Sequence, residues 1–185
     1  VEAELRAGIV KWGRSLFERG FTVGSSGNIS VRLADGFLVT PTNSCFGFLD
    51  AARIAKLDNE WRPVGGDAPT KELPLHRAFY EGRPQAGAVV HLHSTYATAL
   101  SCLADIDPED AIAPITPYVV MRVGRVPVLP YTAPGSSDVA PLVAARAPDH
   151  AAVLLANHGP VVAGATLESA VFAAEELEET AKLIV

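Results

Sequence analysis

Apolar residues recur at helical spacing between Val1 and Arg19, at Leu5, Ile9, Trp12, Leu16 and Phe17, and Gly20 supplies a stop, so the chain is predicted to open with a helix. The period then changes from about 3.6 to two. Asn28-Ile29-Ser30-Val31-Arg32-Leu33 and Gly36-Phe37-Leu38-Val39-Thr40 alternate as strands do, and Ala34-Asp35-Gly36 between them is a hairpin signal. Pro41-Thr42-Asn43-Ser44 breaks the second strand. A short helical piece is expected from Asp50 to Leu57, an extended one over Glu60-Trp61-Arg62-Pro63-Val64, and a helix from Glu72 to Gly82.

Strand and helix alternate thereafter. The pattern predicts a strand over 86–92, a helix from Thr95 to Leu103, a strand from Val126 to Pro130 and a helix from Ser136 to Ala147. Strands over 151–156 and Val161 to Ala163 follow, then a last helix from Leu167. Thr166 is the expected N-cap of that helix, with Glu175, Glu176, Glu178 and Glu179 on its wet face. This order predicts an α/β fold: a three-layer α/β/α sandwich with a mixed, mostly antiparallel central sheet, one domain over 1–185. No repeat, low-complexity segment or linker interrupts it.

Composition agrees. The 185 residues are 49% hydrophobic and 19% charged, enough apolar side chain to cover a sheet on both faces. The net charge of -6 and the scatter of the 15 Lys and Arg make nucleic acid and anionic membrane poor partners. No apolar run approaches the ~20 residues that span a bilayer. The N-terminal residues are charged and amphipathic, unlike a signal peptide. Cys45 and Cys102 stand in unrelated contexts without metal-type spacing, which points to inert thiols and a reducing, cytoplasmic setting.

Candidate chemistry gathers at two strand ends. His91-Leu92-His93 follows the apolar run Ala86-Gly87-Ala88-Val89-Val90, and residues two apart on a strand project to one face. His158 follows a second buried-strand run, 151–157, and meets Gly159-Pro160. Either motif alone is commonly a turn or a satisfied pair. If the strands share a sheet, three neutral imidazoles converge and leave an open coordination position for a divalent metal. A cupin would place a Glu near Thr98, a metallo-β-lactamase an Asp-His, and a hydrolase barrel needs about 250 residues. None of these fits.

Gly24-Ser25-Ser26-Gly27-Asn28 lies at a helix-to-strand junction where small residues let backbone N–H groups approach an anion. Thr42-Asn43 and Thr70-Lys71, the latter before a helix N-terminus, could join it around a phosphate monoester. Glu72 follows directly. Its bland alternative is a first-turn acid favouring the helix dipole, with His76 solvated one turn on.

With these residues assembled, the chain resembles the class II aldolase/adducin family from about Gly20 through Leu183. The matching motifs are Gly27-Asn28-Ile29-Ser30, Val39-Thr40-Pro41-Thr42, the Glu72 loop, Ala88-Val89-Val90-His91-Leu92-His93, Val128-Leu129-Pro130-Tyr131 and Asn157-His158-Gly159. The resemblance implies His91, His93 and His158 as ligands of zinc, or of manganese or another divalent ion. It implies Glu72 as the acid/base beside the metal, joining it when no substrate is bound. It implies Gly27, Asn28, Thr42, Asn43, Thr70 and Lys71 around the substrate phosphate, although Lys71 stands where the aldolases carry a small hydroxyl residue. Tyr118 matches a tyrosine that reaches a neighbouring subunit's site, so homotetramers with interfacial sites are implied.

Within the family, Pro69-Thr70-Lys71-Glu72, His93-Ser94-Thr95-Tyr96, Leu100-Ser101-Cys102-Leu103 and 117–125 look like the branch that decarboxylates 3-oxo-tetronate 4-phosphate to dihydroxyacetone phosphate. A sugar-phosphate aldolase or pentulose-phosphate epimerase in the same site is the alternative, and a non-catalytic adducin-like interaction domain a third. All three histidines and Glu72 are present, which argues against the third. In the decarboxylase reading Glu72 is a proton donor held as an acid by a dry pocket, and Arg122 a candidate for the substrate carboxylate.

Overall fold

A computed structural model describes residues 1–185, and one eight-stranded sheet runs through it. The opening helix α1 (Glu2–Glu18) leads into β1 (Asn28–Leu33) and β2 (Gly36–Val39), joined by the expected hairpin. Next come β3 (Ala55–Leu57), β4 (Pro63–Gly65), α2 (Leu73–Gly82), β5 (Ala88–His91), α3 (Thr95–Ser101) and α4 (Pro117–Arg122). The chain continues through β6 (Val128–Leu129), α5 (Val139–Arg146), β7 (Ala152–Leu155), β8 (Gly159–Gly164) and α6 (Leu167–Ile184). Strand order is β4-β3-β2-β1-β5-β8-β7-β6, and only the β6–β7 pair is parallel. The predicted layers and sheet are those observed.

Strand alternation divides the core between the two faces. Ile29, Val31, Ala88, Val90, Leu154 and Val162 pack against α1, α3, α4 and α6. Val89, Val153, Leu155, Val161 and Ala163 pack against α2 and α5. His91 has the parity of Val89 and therefore faces the α2 layer, as do Asn28 and Ser30 on the neighbouring strand, where Asn28 is the register partner of His91. Sheet pairing thus brings the β1 start, the β5 end and the α2 start to one place.

Two expectations need correction, and one helix was not predicted. The helix expected from Asp50 to Leu57 is absent: a 3-10 turn (Phe46–Phe48) and bends precede β3, whose Ala55 and Leu57 pair with Val39 and Phe37. The free edge of β2 offers this short segment backbone partners that an isolated turn of helix would lack. Helix α4 was not foreseen, although Thr116 accepts the Val119 N–H and Pro117 opens the first turn, a start signal present in the residues. Finally, Glu178 is not on a wet face. It is buried, and its carboxylate accepts N–H bonds from Tyr96 (2.9 Å) and Ala97 (2.8 Å) at the start of α3.

Glu178 thus caps the helix that begins just after His93. Glu178→Ala leaves two N–H donors unmet, the buried one of Ala97 and the part-buried one of Tyr96, and is expected to lower the unfolding free energy by about 2 kcal/mol. Denaturant melts of the variant and of Glu175→Ala on the same helix check this, because Glu175, paired with Arg19 near the surface, caps no helix. The Thr166 cap is as expected, and Ser169 returns the bond in a capping box.

Candidate metal centre

His91 is the last residue of β5 and wholly buried. His93 lies two residues on. His158 sits in the turn between β7 and β8, held by its N–H on the Leu155 carbonyl (3.1 Å), where Asn157 takes φ +56°. The turn requires Gly159: at φ +154°, a Cβ there would stand 2.4 Å from the Leu92 carbonyl oxygen, so only glycine lets the two strand ends approach. Gly27, at φ +81°, makes the same allowance beside the His91 carbonyl.

The three Nε2 atoms converge. His91 and His93 are separated by 3.1 Å, His91 and His158 by 3.2 Å, and His93 and His158 by 3.0 Å. Nδ1 of His91 lies 2.9 Å from the Pro160 carbonyl and must carry the proton to donate to it, which leaves the Nε2 of a neutral ring bare. Three imidazole nitrogens at such range cannot satisfy one another by hydrogen bonds. A cation bound at ~2.0–2.1 Å in tetrahedral geometry needs ligand atoms about 3.3 Å apart, close to what is found. The donor set of nitrogen plus a nearby carboxylate suits zinc or a similar divalent ion, so the residues fit the group.

Glu72 stands at the N-cap of α2 with Oε2 3.5 Å from His91 Nε2 and Oε1 3.7 Å from His158 Nε2. Burial lowers the pKa of all three imidazoles, of His91 to about 3, and repulsion from the neighbouring rings adds to it for His91 and His93. The triad is therefore neutral and ready to ligate near pH 7. For Glu72 burial opposes the charge, but attraction to the imidazoles when they carry a proton and an Asn28 N–H at 2.7 Å hold the carboxyl below its usual range. The expectation of a carboxylic acid kept protonated by a dry pocket is corrected: the free site holds a carboxylate.

Two side chains take unexpected places. His76 is not solvated but fully buried, between Ser30 Oγ (2.7 Å from Nδ1) and the Asn28 amide oxygen. Asn28 does not offer its amide to an open loop, since Nδ2 donates to Glu72 and Oδ1 accepts from His76. Strand alternation held the clue: Asn28, Ser30 and Arg32 form the polar face of β1. That face reads as wet until α2 is seen to cover it.

The remaining anion-loop residues are brought side by side. Thr42 N–H bonds the Ala68 carbonyl and Thr70 N–H the Thr40 carbonyl, clamping loop 40–44 to loop 68–72. Thr70 Oγ1 in turn accepts the Glu72 N–H. Asn43 takes φ +54°, and exposed Lys71 lies against Gly135. Thr132, Ala133, Pro134, Gly135 and Ser136, which no sequence motif flagged, close over Glu72 and His158. Tyr118 and Arg122 are not brought to the triad within the chain. Both are on α4, lining a surface cleft with Phe172, Glu175, Glu176 and Glu179.

Burial of His76 has a cost at low pH. Its pKa falls from 6.5 to about 4 on folding because burial disfavours the charge. Between these values the unfolded chain binds the extra proton, so stability is present above pH 6.5 and is lost as pH falls toward 4. His76 alone is expected to remove about 2 kcal/mol at pH 5, read as the difference between urea melts at pH 7.5 and 5.

The chain is similar to known proteins over nearly its whole length. The model of the class II aldolase and adducin N-terminal domain matches residues 7–185. A 3-oxo-tetronate 4-phosphate decarboxylase of Pectobacterium atrosepticum is 54% identical, covering 99% of this chain and 84% of the relative. L-fuculose phosphate aldolase of Escherichia coli is 34% identical, covering 89% of this chain and 74% of that one. Among solved structures, YgbL of Klebsiella pneumoniae, given the alternative assignments aldolase, epimerase and decarboxylase, matches with a TM-score of 0.97 and 51% identity. It is covered over 89% of its length and this chain over 100%. With the match running nearly end to end, the chain belongs to the class II aldolase and adducin family.

Proposed function

We propose that this chain is a zinc-dependent, cytoplasmic carboxy-lyase that converts 3-oxo-tetronate 4-phosphate to dihydroxyacetone phosphate and CO2. The carrying observation is the set of three Nε2 atoms within 3.0–3.2 Å of one another with the Glu72 carboxyl 3.5–3.7 Å away, in a chain 54% identical to a decarboxylase of that name. Bound by His91, His93 and His158, the divalent ion would supply Lewis-acid stabilisation of the charge left on the C2–C3 fragment.

The chain's own residues do the rest. Lys71 supplies positive charge to the phosphate, and Gly27, Thr42, Asn43 and Thr70 supply backbone and hydroxyl donors around it, with Asn28 fixing Glu72 behind. The C1–C2 bond breaks, neutral CO2 departs, and the electron pair stays on the C2–C3 enediolate. Glu72 then delivers a proton to C2 from Oε1, the oxygen that Asn28 leaves free. The free carboxyl is ionised, so that proton is first taken up from solvent in the substrate complex.

Tyr118, 58% exposed with Met121 at 79% beside it, is assigned to the site of a neighbouring subunit in a homotetramer of single-domain chains. Arg122 lies 5.8 Å over Phe172 in a cleft with three acids of its own chain, which does not support a role on the substrate carboxylate. The test is direct. Zinc-loaded protein is incubated with 3-oxo-tetronate 4-phosphate and, separately, with L-fuculose 1-phosphate. CO2 and dihydroxyacetone phosphate from the first are expected. Lactaldehyde from the second, with the first untouched, would overturn the reading in favour of the aldolase.

A further inference from the structure

Between β1 and α2 runs a file of polar groups that ends on Glu72, and three of its members, Tyr80, Ser30 and His76, have no direct place in the proposed reaction. Tyr80 Oη lies 3.0 Å from Ser30 Oγ, Ser30 Oγ 2.7 Å from His76 Nδ1, and Asn28 Nδ2 2.7 Å from Glu72 Oε2, with the bond between His76 Nε2 and Asn28 Oδ1 closing the gap. Ser30 and His76 are wholly buried, and Tyr80 and Asn28 are 3% and 5% exposed. Phe37, Leu75, Phe79 and Val89 fill the layer around them, and the Arg32 guanidinium lies 4.7 Å over the Tyr80 ring at the far end from Glu72. An apolar file would fill that space at less desolvation cost, so the polar one calls for a reason beyond packing.

The donors give the file a direction. A carboxylate only accepts, so the Asn28 amide nitrogen must face Glu72 and its carbonyl must face His76. His76 Nε2 then carries the ring proton. In a neutral ring Nδ1 is bare and accepts from Ser30 O–H, whose own oxygen accepts from Tyr80 O–H. Every hydrogen in the file points toward Glu72.

We infer that His76 is a positioning residue for Glu72: its Nε2–H holds the Asn28 carbonyl, turns the Asn28 N–H onto Glu72 Oε2, and leaves Oε1 without a side-chain donor. The inference rests on the reading of Glu72 as the proton carrier. With the Asn28 amide turned over, carbonyl would face carboxylate, and Glu72 would have to swing away or take up a proton. Asn28 alone cannot choose its orientation, because its two ends have the same shape.

The first test needs no turnover. Long-range proton–nitrogen NMR of metal-free, histidine-labelled protein at neutral pH is expected to show His76 as the Nε2–H tautomer, with the Asn28 side-chain amide protected from exchange. His76→Leu should abolish that protection. In the zinc-loaded enzyme it should lower kcat about tenfold or more while KM stays within about twofold. His76→Gln, which offers an N–H at the Nε2 position, should recover kcat to within about threefold.

Val143→Ala, a cavity in the same layer outside the file, supplies the comparison for a purely structural loss. Ser30→Ala is the second variant if His76→Leu fails to fold. It removes the donor that keeps Nδ1 bare, so a tautomer mixture and a fall in kcat of about threefold are expected. An Nδ1–H tautomer in the parent protein would overturn the inference. So would a kcat for His76→Leu equal to that of Val143→Ala at matched Tm, or a Ser30→Ala protein with unchanged tautomer and kcat. Should the enzyme prove to act on another substrate, the tautomer and the amide protection still decide the matter in metal-free protein.

Discussion

His91→Ala is expected to cost at least about 10³-fold in kcat/KM and to leave the purified protein without stoichiometric zinc. A divalent ion held by the triad would stabilise the negative charge left on the C2–C3 fragment, which is worth several kcal/mol, and about 4 kcal/mol corresponds to that factor. His91 is the triad member with the most to lose. It is fully buried, it lies within 3.2 Å of both other imidazoles, and its Nδ1–H is the partner of the Pro160 carbonyl. Truncation removes a ligand and strips that carbonyl of its donor at once. Elemental analysis and turnover on the same preparation check it, with circular dichroism to show that the sheet persists. Retention of zinc at full occupancy with less than about a tenfold loss of turnover would show that the triad does not carry the reaction.

The layers, the antiparallel sheet and the histidine triad were legible because they rest on local signals. Alternation in Asn28–Leu33 and Gly36–Val39 names strands, and His-x-His at a strand end places two rings on one face wherever the strand goes. The Asp50–Leu57 segment misled for the opposite reason. Its apolar spacing suits one turn of helix, but Ala55 and Leu57 are decided by the open edge of β2, which no local pattern records.

Buried polar residues were the hardest to read. Glu178 sits among three other acids on α6, and only the arrival of α3 at its carboxylate distinguishes it from Glu175, Glu176 and Glu179. His76, Ser30 and Tyr80 are likewise ordinary polar residues at exposed-looking positions until α2 lies across β1. The resemblance placed Gly27 and Asn28 around the substrate phosphate. Register showed instead that Asn28 is opposite His91 and that its amide is spent on Glu72.

Glu72→Gln separates the proton carrier from the metal site. The amide is nearly isosteric with the carboxylate, and its oxygen can accept the Asn28 N–H in place of Oε2, so the side chain is expected to keep its position. The three imidazoles are untouched and zinc content should remain near that of the parent. What is lost is the only titratable oxygen beside the triad, which lies 3.7 Å from His158 Nε2. Removing a positioned proton donor costs about 10²–10⁴ in rate, and that fall is expected in kcat with little change in KM. If the variant keeps more than about a tenth of parental kcat, the proton reaches C2 from water and Glu72 serves only as a neighbour of the ion. Loss of zinc together with activity would place Glu72 among the ligands instead, and Glu72→Asp, which keeps the charge but shortens the reach, would then restore part of the metal content without restoring the rate.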